Sequence, residues 1–236
     1  MNIQKILSPV RKCVQDFDMI KNGDKIAIGV SAGKDSLTLL CAMAALSRFY
    51  PEKFELVAIT VDMGFDGKQD DFASIRALCE QLDVAYHVIH THIAEVVFDI
   101  RQEKSPCSLC ANMRRGALND AAKELGCNKV ALGHHHDDAV ETFFLNLFQE
   151  GRLGCFSAVT YLSRKDLTVL RPMLYVDEKD IRSFAIKENL PVQRSACKAD
   201  GNTHRQKMKD FISELQRENH DIKEKVFNAM KRSNLF

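Results

Sequence analysis

The chain has 236 residues, 45% hydrophobic and 28% charged, enough for one large α/β domain with a buried core. Its 33 Lys and Arg against 32 Asp and Glu leave a net charge of +1, which excludes a strongly basic chain and by itself assigns no nucleic-acid partner. No apolar run approaches the roughly 18 residues needed to cross a bilayer, and Met1 to Gln15 lacks the apolar segment of a secretory signal, so a cytoplasmic location without a membrane partner is expected.

Residues 1–22 read as a charged helical lead-in. Lys25 to Val30 is a short apolar strand that passes through Ser31-Ala32-Gly33-Lys34-Asp35-Ser36 into a helix from near Ser36 to about Arg48. Phe54 to Val61 is a second strand ending at Asp62, Lys68 to Leu82 has helical spacing, and Ala85 to His90 is a third strand. A helix from about Asn112 to Leu125 follows Cys107. The strand Asn128 to Gly133 then ends at His134-His135-His136-Asp137-Asp138, and a helix covers about Ala139 to Gln149. Val169 to Met173 is a late strand, Glu178 to Glu188 a helix, and residues 202–236 are helical, charged and expected to be peripheral. Strands alternating with helices predict an α/β fold with a mostly parallel, twisted sheet flanked by helices and a helical C-terminal extension. The expected division is 1–22, a nucleotide-binding domain over 23–190, and a basic segment over 191–236.

Asp62, the Ser31–Ser36 loop and the Gly133–Asp138 segment all fall at C-terminal strand ends, the edge where open α/β sheets bind ligands. A Gly-containing turn between strand and helix gathers backbone N–H groups at the positive end of the helix dipole and so favours an anion. Ser31 and Ser36 add hydroxyls, and Lys34 adds a charge suited to phosphate. A plain N-capped helix explains a Ser and a Gly, but not Lys-Asp-Ser directly after them. Both the P-loop and the dinucleotide fingerprint require more glycines at other spacings. The run resembles the SGGKDS signature of the PP-loop ATPases, with Ala32 where that signature has Gly. The resemblance implies an adenine nucleotide alpha hydrolase-like (HUP) fold and cleavage of ATP between the α and β phosphates. A methyl group restricts φ > 0, so either the loop is reshaped at Ala32 or that position lies in an ordinary backbone region.

Cys107-Ser108-Leu109-Cys110 is the one CxxC among eight cysteines. On spacing alone it is redox-active, zinc-binding, cluster-binding or coincidental. Cys13, Cys41, Cys79, Cys127 and Cys155 occur singly and read as small buried hydrophobes, while Cys197 lies in a basic neighbourhood with Arg194 and Lys198. The runs Cys107 to Gly116 and Ala131 to Asp138, with Glu141-Thr142 and Phe144-Leu145-Asn146, resemble the TtcA family, the tRNA 2-thiocytidine synthetases. That resemblance spans residues 20–210.

It implies an ATP-dependent enzyme that adenylates the C2 oxygen of cytidine 32 in tRNA and replaces it with sulfur. It further implies a [4Fe–4S] cluster on Cys107, Cys110 and Cys197, and a sulfur donor that is sulfide or a cysteine desulfurase system. Ser31, Ala32, Gly33, Lys34, Asp35 and Ser36, with Asp62, Arg114, Arg115, Gly133, His134 and Asp138, are then the nucleotide-binding residues. Lys34, Asp35 and Asp137 join the cysteines as catalytic candidates. Asp35, Asp62, Asp137 and Asp138 are candidates to organise Mg²⁺ beside the phosphates, although acids at 137 and 138 also suit a helix N-terminus. The three His residues read as nucleotide-site lining, loop packing or, last, metal ligands. Candidate RNA backbone contacts are Lys198, Arg205, Lys207 and Lys209, then Lys223, Lys225, Lys231 and Arg232. The short N-terminal lead-in leaves room for a second subunit to complete RNA recognition, so a homodimer is compatible with the sequence. Competing readings are a PP-loop ligase, a persulfide-based sulfurtransferase for another base or a small molecule, and a zinc-stabilised ATP-binding module.

Overall fold

A computed structural model describes residues 3–65, 71–101, 106–193 and 204–236. Helix α1 (Gln4–Asp16) precedes β1 (Asp24–Gly29), α2 (Lys34–Ser47), β2 (Phe54–Asp62), α3 (Ala73–Leu82) and β3 (Ala85–His90). A π-helical turn (Glu95–Ile100) leads to α4 (Pro106–Glu124), then β4 (Lys129–Ala131) and α5 (His136–Gln149). The chain finishes with β5 (Val159–Leu162), β6 (Leu167–Leu170), α6 (Glu178–Lys187), α7 (His204–Glu218) and α8 (Ile222–Arg232).

The six strands lie in the order β3-β2-β1-β4-β6-β5, parallel except for β5, which runs antiparallel to β6. From β1 the chain winds outward through β2 and β3, then crosses back to place β4 on the other side of β1. The C-terminal ends of β1 and β4 therefore flank the point where winding reverses, the place where such sheets open a ligand crevice.

Side-chain alternation along β1 feeds two cores. Ile26 and Ile28 pack with α2 on one face, and Ala27 packs with Val57, Ile59 and Leu118 on the other. Helix α2 is buried nearly all round, from Ser36 to Ala44 and at Leu46, because α1 and α6 cover the side turned away from the sheet. The lead-in helix is part of this core: Ile6, Leu7, Val10, Cys13 and Val14 are buried, each large apolar side chain contributing about 1.5–3 kcal/mol.

The C-terminal helices also differ from expectation. They are helical and charged but not peripheral, since Met208, Ile212, Phe227 and Met230 join the main core and α7 and α8 pack on α5. Two further features were not read from the sequence. One is the β5–β6 hairpin; the other is the start of α4 at Pro106, which puts the CxxC inside the helix rather than ahead of it. Among the described residues no helix is long and apolar enough to cross a membrane.

Candidate active site

The loop after β1 is closed by Ser36. Its hydroxyl accepts from the Ser31 N–H at 3.0 Å and the Ser31 hydroxyl at 3.2 Å, and donates to the Gly33 carbonyl at 3.0 Å. Gly33 caps α2 without a side-chain hydrogen bond, so the first-turn N–H groups keep their capacity for an anion. Ala32 sits in the left-handed region at φ +60°, and the Gln193 N–H donates to its carbonyl at 3.0 Å. The position thus has the backbone that glycine adopts freely and that costs an L-residue about 1–2 kcal/mol.

Across the switch point, β4 ends at Gly133 hard against this loop. A Cβ there would lie 3.1 Å from the Asp35 carbonyl carbon and the Ser36 nitrogen, a tight contact with backbone that glycine avoids. His135 then caps α5: its Nδ1 accepts from the Asp138 N–H at 3.4 Å while Asp138 Oδ2 accepts from the His135 N–H at 3.0 Å. Nε2 of the same ring lies 3.5 Å from Asp138 Oδ2 and 3.6 Å from Asp35 Oδ1. The capping reading of Asp138 is what the geometry displays.

Charges from distant parts of the chain converge on these two strand ends. Lys34 lies 2.7 Å from Asp35 and 3.2 Å from Glu178 at the start of α6, and Lys209 of α7 holds both Glu178 oxygens at 2.7 and 2.9 Å. Burial opposes ionisation of Glu178, but the bonds to Lys209 and the charge of Lys34 outweigh it and bring the pKa down to about 2. Asp137 accepts from Lys223 of α8 at 2.7 Å and from the Glu178 N–H at 2.8 Å, which likewise overcomes burial and holds it at about 2. Arg205 approaches Asp138 at 3.7 Å and Glu141 at 3.8 Å and donates to Thr142 at 3.1 Å. Glu141 is raised to about 7, by burial first and the Asp138 charge second.

Cys107 is exposed and Cys110 half-buried, one turn apart at the start of α4. Cys110 packs against the small buried cluster of Met63, Ile93, Ala94 and Val97, whose Met63 directly follows β2, so the motif is tied to the ligand edge. The single cysteines differ in kind: burial pushes Cys13, Cys41 and Cys155 up to about 12 and Cys79 to about 11, and raises Cys127, leaving them as thiols.

The PP-loop domain family matches residues 2–215. The tRNA-cytidine(32) 2-sulfurtransferase of Geobacter sulfurreducens is 39% identical over 230 residues, covering 96% of this chain and 89% of that protein. Its counterpart from Geobacter metallireducens is 40% identical with the same coverage. The chain belongs to the tRNA-cytidine(32) 2-sulfurtransferase family of PP-loop proteins. Among solved structures, the U34-tRNA thiolase NcsA from Methanococcus maripaludis, described with its [4Fe–4S] cluster, superposes with a TM-score of 0.78. At 24% identity, over 97% of this chain and 78% of that one, it shows the shared fold.

Of the family-derived candidates, the fold brings together Ser31 to Ser36, Gly133, Asp137 and Asp138. Asp62 is at the same edge but buried and engaged, accepting from the Gly64 N–H at 3.0 Å and lying 2.9 Å from His90 Nδ1. Gly64 is itself fixed at φ +68°, where a Cβ would meet the Thr91 carbonyl oxygen at 2.5 Å. Among the described residues, the four aspartates assigned to Mg²⁺ do not form one ligand set. The group that does lie together is His136, Asp137 and Asp177. Its hard oxygen donors and imidazole are not the thiolates of an iron–sulfur cluster, and the Lys223 ammonium already sits on Asp137. His134 packs on Phe156 and is kept neutral by burial, at about 4, while His136 packs on Phe227.

Arg114 and Arg115 are exposed on α4, and Cys197 lies outside the described residues, as does Lys198. Arg205, Lys209 and Lys223, read from sequence as RNA contacts, instead pair with acids within the site. Glu178 was missed, because an acid at a helix start reads only as a complement to the helix dipole.

Proposed function

We propose that the protein is an ATP-dependent tRNA sulfurtransferase that converts cytidine 32 to 2-thiocytidine. The observation that carries this reading is the placement of two chemistries on one sheet edge. An anion-binding loop lies at the β1–β4 switch point, and a CxxC on the first turn of α4 packs against the end of β2. The loop N–H groups and Lys34 hold the ATP phosphates, with Mg²⁺ arriving on the nucleotide near Asp35. The cytidine C2 oxygen attacks the α-phosphate, the bond to the β-phosphate breaks, and pyrophosphate leaves. Because the loop is closed by Ser36 before ligand arrives, positioning and charge neutralisation supply most of the catalysis.

Adenylation turns a poor leaving oxygen into AMP. Attack of hydrosulfide at C2 then forms the C–S bond, expels AMP and releases the sulfur-bound proton. Cys107 and Cys110 have the exposure and helix position of thiolate ligands, and Cys197 is the third donor on this reading. A [4Fe–4S] cluster on these three thiolates would supply an open iron for sulfide.

Iron and acid-labile sulfide in anaerobically purified protein test the assignment, together with 2-thiocytidine formed in an unmodified tRNA transcript. About four iron and four sulfide per chain are expected, lost in Cys107→Ala, Cys110→Ala and Cys197→Ala along with thiolation, while pyrophosphate release persists. Stoichiometric zinc without iron would overturn it.

A further inference from the structure

Nearly every cation around the switch point is matched by an acid: Lys34 by Asp35 and Glu178, Lys209 by Glu178, Lys223 by Asp137, and Arg205 by Asp138. Arg171 breaks the pattern. It directly follows β6, and the Leu132 N–H donates to the Leu170 carbonyl beside it, so it stands where β4 and β6 end. Its half-buried guanidinium donates through Nη1 to the Ser157 carbonyl at 2.5 Å and the Thr160 hydroxyl at 3.3 Å. Nε is sealed from solvent with no acceptor, and no carboxylate among the described residues pairs with it. Burial and the charge of another cation, Arg115 on α4, bring Arg171 down to about 10.

The surroundings repeat the deficit. The guanidinium lies 5.1 Å from the centroid of Phe156, and the same ring packs on His134 at 5.0 Å, whose Nδ1 is also buried without a partner. A desolvated cation that feels the field of a second cation, and that no carboxylate among the described residues pairs, is costly unless an anion completes it. Arginine's planar fork fits a phosphate through paired N–H bonds.

We propose that Arg171, with Arg115, binds a backbone phosphate of the polynucleotide acceptor. This rests on the RNA-modifying reading above. The ATP phosphates have their own cradle after β1, two strands and roughly 10 Å away by strand spacing. Arg115 lies on α4, the same helix that carries Cys107 and Cys110. The site positions the acceptor and takes no part in bond making.

Fluorescence anisotropy with an unmodified tRNA transcript, over a range of salt, tests the proposal on full-length protein, with ATP affinity measured by calorimetry. Arg171→Met should weaken RNA binding about tenfold and reduce the salt slope by about 0.7 to 1. Arg171→Lys should recover the slope and part of the affinity, and ATP affinity should stay unchanged. Arg115→Met, on an exposed face, should lower the slope similarly without loss of thermal stability. A loss of ATP affinity with RNA binding intact overturns the proposal. So does a lower Tm with unchanged RNA affinity and slope, which makes Arg171 a strut for the β5–β6 hairpin. Wild-type protein that shows the Arg171-dependent slope yet forms no 2-thiocytidine refutes the reaction and leaves the phosphate site standing.

Discussion

Ala32 holds the phosphate loop in a left-handed turn at φ +60° with a methyl group that resists it. Ala32→Gly removes a strain of about 1–2 kcal/mol but loosens the unfolded chain by about 0.4–1 kcal/mol. The net lies between about 0 and 1.6 kcal/mol of stabilisation, centred near about 0.8 kcal/mol, read as a Tm rise of about 2–3 °C for a chain of this size. A lower Tm would mean that the methyl group's own packing in the core outweighs its strain. Glu141 sets a pH dependence of unusual sign. Raised from its ordinary 4.5 to about 7 by burial and then Asp138, it keeps a proton in the folded state that the unfolded chain releases. Stability from this group is therefore lost as pH rises between about 4.5 and 7. Glu141→Gln should flatten that limb in chemical denaturation and stabilise the chain at pH 8 by roughly 1–3 kcal/mol; an unchanged limb would place the proton elsewhere.

At the scale of elements, the site depends on how closely β4 meets the loop after β1. In Gly133→Ala the added methyl meets backbone at 3.1 Å, which cannot rotate away as a side chain would. The strand end or the loop gives by a few tenths of an ångström, at a cost of about 1–3 kcal/mol, and the ATP KM should rise, by up to about tenfold; an unchanged KM would separate Gly133 from the nucleotide. The elements legible in the sequence are those whose periodicity is set by burial. These are β1 and β2 with apolar faces on both sides, α2 as an apolar run after the loop, and α5 after the His–Asp stretch. The first turn of α4 was illegible because Pro106, Cys107 and Ser108 carry no apolar period. The π-helical turn and the hairpin were missed because both are short and depend on tertiary contacts. The loop residues could be read because each has a local reason to be there. Glu178 and Arg171 could not, because their meaning comes from charge partners far along the chain, lysines for Glu178 and, among the described residues, no carboxylate for Arg171.

Across the whole molecule, the C-terminal helices close the site from outside. Helix α8 sends Lys223 to Asp137, and α7 sends Lys209 to Glu178, which in turn holds Lys34 of the loop. The end of the chain thus balances charge at the strand ends formed near its beginning, which is why those lysines are not spare charge for RNA. Lys223→Met leaves the buried Asp137 carboxylate with the Glu178 N–H and the more distant rings of His135 and His136. Breaking such a pair by removing one partner costs about 3–5 kcal/mol when fully buried, and about 2–3 kcal/mol is expected here because Lys223 keeps some exposure. Asp137 is depressed from 3.8 to about 2, so its contribution is present above about pH 4 and lost as pH falls toward 2; the variant should lose that acid limb. Adding Asp137→Asn to Lys223→Met removes the orphaned charge and should restore most of the lost stability in a double-mutant cycle. Pyrophosphate release then separates the two roles of Asp137. If the restored double variant is as slow as Asp137→Asn alone, the carboxylate serves the chemistry; if it regains wild-type turnover, Asp137 is only the anchor of α8.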